Sequence, residues 1–406
     1  MTIRTNRHAY AALAIAFVSK NAAIGFTFGA YGLMVSQLES TFEGSRAGSS
    51  LGIGLIALTM GLASPMLGYA LDRWSIRKSM CLGYLVGAAG FWFASSAESL
   101  EMFLFSFGVI VGMSVAATGV LPASKIATNW FPDAPGKAIA FANLPLVVAI
   151  GPPVFGAIIA AEGWRTLMLV FSLIFVALAP LMLLLRDAPK NNKTPEKTRS
   201  DFALKDSLKT LLSDPRFWLT TLIAGSLFSG GIVMVTHIVA HAITGGTELQ
   251  QASILLSVNG AAAVFGAFLF GWISDRYNPH RALIINASAQ IIMWPTLVLV
   301  PGFGGLVVAV MLLGLCIGGA HPSVSAMINY VFGQSRFATV LGQVTLFVIP
   351  LNFGAAPLAG YLFDVGGNYG VAFGLQSILC IASLVCIKLL TRMSNENLLK
   401  TPLTSA

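Results

Sequence analysis

The feature that most limits what this chain can become is the recurrence, from one end to the other, of apolar runs about 20 residues long. That is the length needed to cross ~30 Å of hydrocarbon. Twelve such runs are read, at about 9–37, 48–71, 79–96, 102–124, 138–160, 165–186, 216–243, 250–274, 282–300, 303–326, 338–361 and 370–391. Only 10% of the 406 residues are charged and 56% are hydrophobic, where soluble domains carry roughly 25% charged residues. For most of these side chains the solvent must therefore be lipid. In lipid every backbone polar group has to be satisfied inside its own helix or a closed barrel. The expected fold class is an all-α polytopic membrane protein with twelve transmembrane helices.

The formal net charge of +8 suggests a nucleic-acid partner until its distribution is followed. Walking the loops alternately from the N-terminus puts 21 of the 24 Lys and Arg on the starting side. The opposite side receives only Arg46 and Arg165, and Lys20 falls inside a span. Such asymmetry follows the positive-inside rule. It implies a cytoplasmic membrane location, both termini in the cytoplasm and contact with anionic lipid headgroups, with no nucleic acid. Cys81, Cys316, Cys380 and Cys386 lie in spans without metal-ligand spacing and read as apolar packing. No signal-peptide cleavage site or lipidation motif is read at either end, and no cofactor or metal is expected.

One stretch breaks the apolar rhythm. Residues 187–215 carry Pro189, Pro195, Asn191, Asn192 and a run of Lys, which reads as a solvated linker. Within it, 202–212 places Leu204, Leu208, Leu211 and Leu212 at helical spacing opposite Lys205 and Lys209, the pattern of an interfacial amphipathic helix. The linker separates an N-terminal half, 1–186, from a C-terminal half, 216–406. The halves are repeats. Gly68-Tyr69-Ala70-Leu71-Asp72-Arg73 returns 203 residues later as Gly271-Trp272-Ile273-Ser274-Asp275-Arg276, and Lys78 maps to Arg281. Pro122 and Asn129 recur at an offset of 200 as Pro322 and Asn329, and Pro153 and Gly156 recur at 204 as Pro357 and Gly360. Six-plus-six repetition is a signature of transporters that bind at the midplane between repeats.

The run Gly-x-x-x-Asp-Arg-x-x-x-Arg-Lys at 68–78, and its second copy at 271–281, resembles the cytoplasmic loop signature of the major facilitator superfamily. The resemblance implies the major facilitator fold and a gating role for Gly68, Asp72, Arg73, Arg77, Lys78, Gly271, Asp275, Arg276 and Arg281. Independently of it, a glycine permits close helix approach, and an aspartate at a helix end can pair with arginines and helix N-termini. Ser75 stands where that signature usually has glycine.

A narrower set is similar to monocarboxylate-transporter and oxalate/formate-exchanger relatives: Asn129-Trp130-Phe131 with Gly136-Lys137, Asp214-Pro215-Arg216-Phe217-Trp218, and Pro357-Leu358-Ala359-Gly360 with Asp364. This resemblance implies a small carboxylate substrate, moved with a proton or in exchange. Ala263 and Ala267 fall where those relatives carry a span-8 carboxylate and arginine, and Thr345 falls near the oxalate carriers' lysine. Gly151-Pro152-Pro153-Val154-Phe155-Gly156 in turn partly resembles an element of drug/proton antiporters, and it implies a kink in span 5. The alternative is therefore a proton-antiport exporter of a drug-like compound or secondary metabolite.

None of the sixteen acidic residues falls mid-span. Lys20 is the charge at depth, about 12 residues or ~18 Å in from the starting side. Holding it charged there costs roughly 2.5–3.5 kcal/mol, so it reads as a cavity-facing anion ligand, with Thr27 and Tyr31 on the same face. Asn143, Asn259, Gln343 and Asn352 are span amides that must find hydrogen-bond partners and join the candidate substrate-binding set. His237, His241 and His321 are the proton-coupling candidates, since histidine titrates in the physiological range. Gly230-Gly231 reads as a hinge in span 7. The reading is a monomeric secondary transporter of a small organic anion, not an enzyme. No intramembrane catalytic pair or metal triad is visible.

Overall fold

The computed structural model describes residues 3–73, 75–131, 135–186, 210–300, 302–334 and 336–400, with side chains left aside at 3–6, 65, 68–73, 135–136, 338 and 394–400. Among the described residues every regular element is a helix. Ten helical stretches are long and apolar enough to cross a membrane, and one of them, Lys137–Leu183, has 47 residues. At ~1.5 Å per residue that is twice a bilayer. Gly163, with φ 82° and ψ 167°, divides it into spans 5 and 6. Ile76–Ser95 supplies the remaining crossing, so the expected count of twelve stands.

The spans follow in order. Span 1 is Ile3–Phe28 and Tyr31–Thr41, span 2 is Arg46–Ser49 and Leu51–Arg73, and span 3 is Ile76–Ser95. Span 4 runs from Leu100 to Trp130 in four pieces, and span 5 comprises Pro135–Ala142 and the part of Leu146–Leu183 before Gly163. Span 6 is the rest of that helix. Spans 7 to 12 are Pro215–Thr244, Leu249–Arg276, Pro279–Leu299, Gly302–Phe332, Phe337–Gly366 and Gly370–Lys400. Loops at 42–45, 96–99, 245–248 and 367–369 mark the end away from where the chain enters, called distal below. The proposed amphipathic helix falls mostly at 202–209, outside the described residues.

Compactness divides the chain into unit 1, Met1–Lys190 with Ile232–Ala261 and Phe353–Tyr369, and unit 2, Asn191–Gly231 with Ala262–Asn352 and Gly370–Ala406. These units cut across the sequence halves because the distal parts of spans 7, 8 and 11 pack on spans 1, 2 and 5. Glycines make that packing close. A Cβ on Gly54 would stand 2.6 Å from the Phe353 carbonyl, and one on Gly156 2.9 Å from Ser253 Cβ. Gly32 abuts the Val235 carbonyl in the same way. The rest of unit 1's core is aromatic. Phe26 stacks on Phe171 at 4.3 Å, and Phe91 meets Phe107, Phe171 and Phe175 edge-on.

In unit 2 a buried polar ladder runs along span 9 and joins span 10 through Asn286. Asn286 Nδ2 donates to the Cys316 carbonyl at 2.7 Å, Gln290 Nε2 to Asn286 Oδ1 at 2.8 Å, and Trp294 Nε1 to Gln290 Oε1 at 3.3 Å. In hydrocarbon, where apolar surface gives helices no reason to associate, such bonds and close packing do the work. Asp214 shows why Asp-Pro-Arg opens span 7. It accepts the Arg216 backbone N–H at 2.9 Å and its guanidinium at 2.7 Å, with Pro215 at the first helical position. Burial of Asp214 works against ionisation, but the bonds from Arg216 win and hold the carboxyl below its usual range.

Span 7 runs without interruption through Gly230 and Gly231; a Cβ there would sit 3.0 Å from Trp294 and 3.2 Å from Ile317, so both glycines pack closely. Helix Leu146–Leu183 continues through Pro152 and Pro153, and span 5 is interrupted at 143–145. Pro152 removes a donor that would have served the Val148 carbonyl. Gly260 of span 8 packs there, and a Cβ on it would stand 2.9 Å from that oxygen. The dividing glycine, Gly163, is different. Nothing lies within 4 Å of a Cβ there, yet its backbone region is nearly closed to other residues. Gly163→Ala is expected to cost about 1–3 kcal/mol, read as a lowered Tm in detergent.

Candidate functional site

Three consecutive polar residues of span 1, Ser19, Lys20 and Asn21, meet the places where spans 4 and 5 lose their helical hydrogen bonds. Span 4 is interrupted at Gly119, with φ −87° and ψ −131°. The carbonyl just before it, on Thr118, accepts from Ser19 Oγ at 2.7 Å, and Tyr84 OH in turn donates to the Ser19 carbonyl at 3.0 Å. At the span 5 break, Lys20 Nζ donates to the Asn143 carbonyl at 2.7 Å. Asn21 bridges both lips, its Nδ2 donating to the Leu144 carbonyl and its Oδ1 accepting from Val147 N–H, each at 3.0 Å. Consecutive helical positions point about 100° apart, which is how one short stretch serves two neighbours.

Lys20 is 4% exposed, and its one hydrogen bond among the described residues goes to a neutral carbonyl. That carbonyl sits at the C-terminal end of the half-helix Pro135–Ala142, where partial negative charge accumulates. A broken helix end thus partners the Lys20 ammonium in part. An ammonium has three donors, and no carboxylate pairs with it among the described residues. Beside it, Asn143 Nδ2 donates to Ser124 Oγ at 3.1 Å and to the Ile139 carbonyl at 3.0 Å, while its Oδ1 is buried with no partner among the described residues.

The other expected ligands divide. Thr27 Oγ1 bonds back to the Ala23 and Ile24 carbonyls of its own helix. Tyr31 belongs to the second helix of span 1, past the interruption at 29–30. Its hydroxyl donates to the Ser49 carbonyl at 2.6 Å and accepts from Gly52 N–H at 2.9 Å. Neither hydroxyl is free for a ligand. In unit 1, Asn259 is 4% exposed and its Oδ1 is unpartnered. In unit 2, Asn352 Oδ1 is likewise buried and unpartnered, and Gln343 is half-buried.

The histidines are not equivalent. His237 is fully buried, with Nδ1 3.0 Å from Tyr369 OH and Nε2 2.8 Å from the Ala356 carbonyl. A carbonyl only accepts, so Nε2 carries the proton and Nδ1 takes the tyrosine hydroxyl. Both nitrogens are committed. His241 is half-buried, edge-on to Tyr369 at 5.7 Å. His321, in unit 2, is exposed, stacks on Phe228 at 3.9 Å and makes no hydrogen bond among the described residues. Of the loop signature, Gly68, Asp72 and Arg73 lie outside the described side chains, and Arg77 and Lys78 are exposed. Asp275, Arg276 and Arg281 are exposed and form no ion pair among the described residues. A Cβ on Gly271 would meet nothing within 4 Å, so close helix approach is not what that glycine provides here.

Interrupted spans sealed by polar side chains from a neighbouring span, with a lysine at membrane depth, define a multi-pass membrane transporter. The sequence profile of the Major Facilitator Superfamily matches residues 21–348 and 246–404, and the chain belongs to that family. Monocarboxylate transporter 11 of Homo sapiens is 25% identical over 368 residues, covering 86% of this chain and 76% of that protein. Monocarboxylate transporter 12 of Xenopus laevis is 24% identical over 365 residues, covering 82% and 79%. YhjX of Escherichia coli (strain K12), an uncharacterized MFS-type transporter, is 25% identical over 74% of each chain. Among solved structures, a bacterial homolog of the human lysosomal transporter Spinster, inward-facing and occupied, superposes with a TM-score of 0.72 at 18% identity, covering 95% of this chain and 93% of that one. A mutant of the nucleoside transporter NupG gives 0.71 at 15% identity, covering 95% and 99%. At these identities the structures speak for the fold alone.

Proposed function

We propose that this transporter carries a small organic anion, a carboxylate, across the cytoplasmic membrane by alternating access of its two six-helix repeats, with Lys20 holding the substrate's charge. Both termini then lie in the cytoplasm, as the loop charges require, and one chain is the working unit. The observation that carries the reading is Lys20 itself, buried and bonded, among the described residues, only to a carbonyl. An arriving carboxylate supplies the counter-charge that nothing bonded to it provides. The names of the monocarboxylate-transporting relatives favour the same substrate class. A coupling proton, where one is used, has His321 as its most available carrier, because His237 spends both nitrogens inside unit 1.

The test separates charge from packing. Lys20→Gln keeps a donor for the Asn143 carbonyl but removes the ammonium. It is expected to leave Tm near that of the parent and to reduce uptake of small carboxylates into proteoliposomes roughly tenfold to a hundredfold, the worth of a charged hydrogen bond. Lys20→Arg is expected to retain part of the uptake. Parental carboxylate uptake by a well-folded Lys20→Gln protein sinks the proposal and leaves Lys20 as a helix-end plug.

A further inference from the structure

At the distal end of unit 1, four spans and the 367–369 loop converge on one guanidinium. Arg46, at the start of span 2, is 8% exposed. Its Nε and Nη2 both donate to Glu39 Oε2 of span 1 at 2.8 Å. Its Nη1 reaches Tyr369 OH at 3.3 Å and Thr244 Oγ1 of span 7 at 3.4 Å, and its Cζ lies 3.9 Å over the Phe363 ring of span 11. The backbone N–H groups of Arg46 and Ala47 donate to the two carboxylate oxygens of Asp364, at 3.1 and 3.0 Å. Gly360, one turn before Asp364, has its Cβ position 2.8 Å from Ala47 Cα, so the two backbones touch.

The hydrogen bonds run in one direction. Arg46 can only donate, so Tyr369 accepts from it and passes its own proton to His237 Nδ1, and His237 Nε2 donates to the Ala356 carbonyl. No member can reverse without leaving another unsatisfied, which makes the set cooperative. Parting spans 1 and 2 from spans 7 and 11 would leave Arg46 its Glu39 partner but take away Tyr369, Thr244 and the Phe363 ring, and would strand two backbone donors at once.

We propose that Arg46 and Asp364 form a lock that holds the distal end shut, with Glu39, Tyr369 and His237 fixing the geometry of Arg46, and that the lock breaks and re-forms in each transport cycle. His237 is then a positioning residue and not a proton carrier. The inference rests on the transporter class and is independent of the substrate.

Spin labels at Glu98→Cys and Glu248→Cys, in the full chain with the four native cysteines replaced by alanine, report the distance across the distal end by double electron–electron resonance. The parent is expected to give mainly a short distance. Asp364→Asn, which loses the negative charge and one acceptor, is expected to raise the ratio of long to short distances roughly tenfold, the scale of a lost charge-assisted bond. Tyr369→Phe keeps the ring against Phe363 and removes only the hydroxyl, so a smaller lengthening in the same direction is expected. If Asp364→Asn does not yield folded protein, Tyr369→Phe decides. An unchanged distance distribution in the folded variants overturns the lock.

Discussion

Gly266→Val is expected to abolish recovery of folded protein, and Gly318→Leu to do the same. The two glycines face each other's backbones where spans 8 and 10 cross in unit 2. A Cβ on Gly266 would stand 2.6 Å from the Leu315 carbonyl carbon and 2.7 Å from its Cα, and one on Gly318 would stand 2.5 Å from the Ala263 carbonyl carbon. Backbone cannot swing aside as the tip of a side chain can. The helices must separate, and separation forfeits the packing that holds helices together in lipid. Overpacking a tight site costs typically 1–3 kcal/mol and occasionally more; with two backbones forced apart, a cost above about 3 kcal/mol is expected, against a total stability of roughly 5–15. Gly271→Ala is the control. It lies one turn along the same helix with open space around it, where alanine gains about 0.5–1 kcal/mol over glycine. Fluorescence-detected size exclusion and thermal stability in detergent read both results. A monodisperse Gly266→Val protein melting with the parent would show that the crossing is looser than drawn.

The contrast between Gly266 and Gly271 also marks what a sequence read alone can see. Long apolar runs and a 203-residue repeat specify twelve spans, because hydrocarbon thickness and backbone satisfaction leave few alternatives. Which glycine touches a backbone depends on the crossing point of two helices, and Gly271, singled out by its motif, has nothing among the described residues within 4 Å of its Cβ position. The breaks in spans 4 and 5 were hidden for a similar reason. Gly119 and Pro145 look no different from the glycines and prolines that the helices tolerate; what distinguishes them is a polar partner about a hundred residues away. Even so, a signal was present. Ser19, Lys20 and Asn21 are three polar residues in a row within an apolar span, and the whole row, not Lys20 alone, meets the breaks. Arg46 and Arg165, the two basic residues off the majority side, carried another. Arg46 anchors the distal cluster, and Arg165 Nη2 caps the end of span 3 through the Ala97 carbonyl at 2.6 Å. A charge that breaks the topological rule has a job at its own address.

Asn21→Leu is expected to be the most damaging single change in span 1, more damaging to the fold than any change at Lys20. Leucine has the branched outline of asparagine but leaves the Val147 N–H without its partner at membrane depth and the Leu144 carbonyl with only the Leu146 N–H, at 3.0 Å, of the two donors it has now. An unsatisfied buried group costs about 1–3 kcal/mol, to which the weakened Leu144 carbonyl adds, lessened only where water enters the break. The break is also where Lys20 rests. Displacing the Asn143 carbonyl therefore removes the acceptor that fixes the ammonium, and transport falls along with Tm. Asn21→Asp discriminates between the two lips. Its carboxylate still accepts from Val147 N–H but cannot donate to the Leu144 carbonyl, so an intermediate loss is expected. Ser19→Ala strands one acceptor, the Thr118 carbonyl, and is expected to cost about 1 kcal/mol. The order of Tm values should be parent, Ser19→Ala, Asn21→Asp, Asn21→Leu. Amide exchange at 139–150 should quicken in the two Asn21 variants and stay near the parent in Ser19→Ala, since Ser19 serves span 4. Equal protection of 139–150 in Asn21→Leu and the parent would mean that the break in span 5 holds itself together, and Lys20 would then owe its place to something other than the clamp beside it.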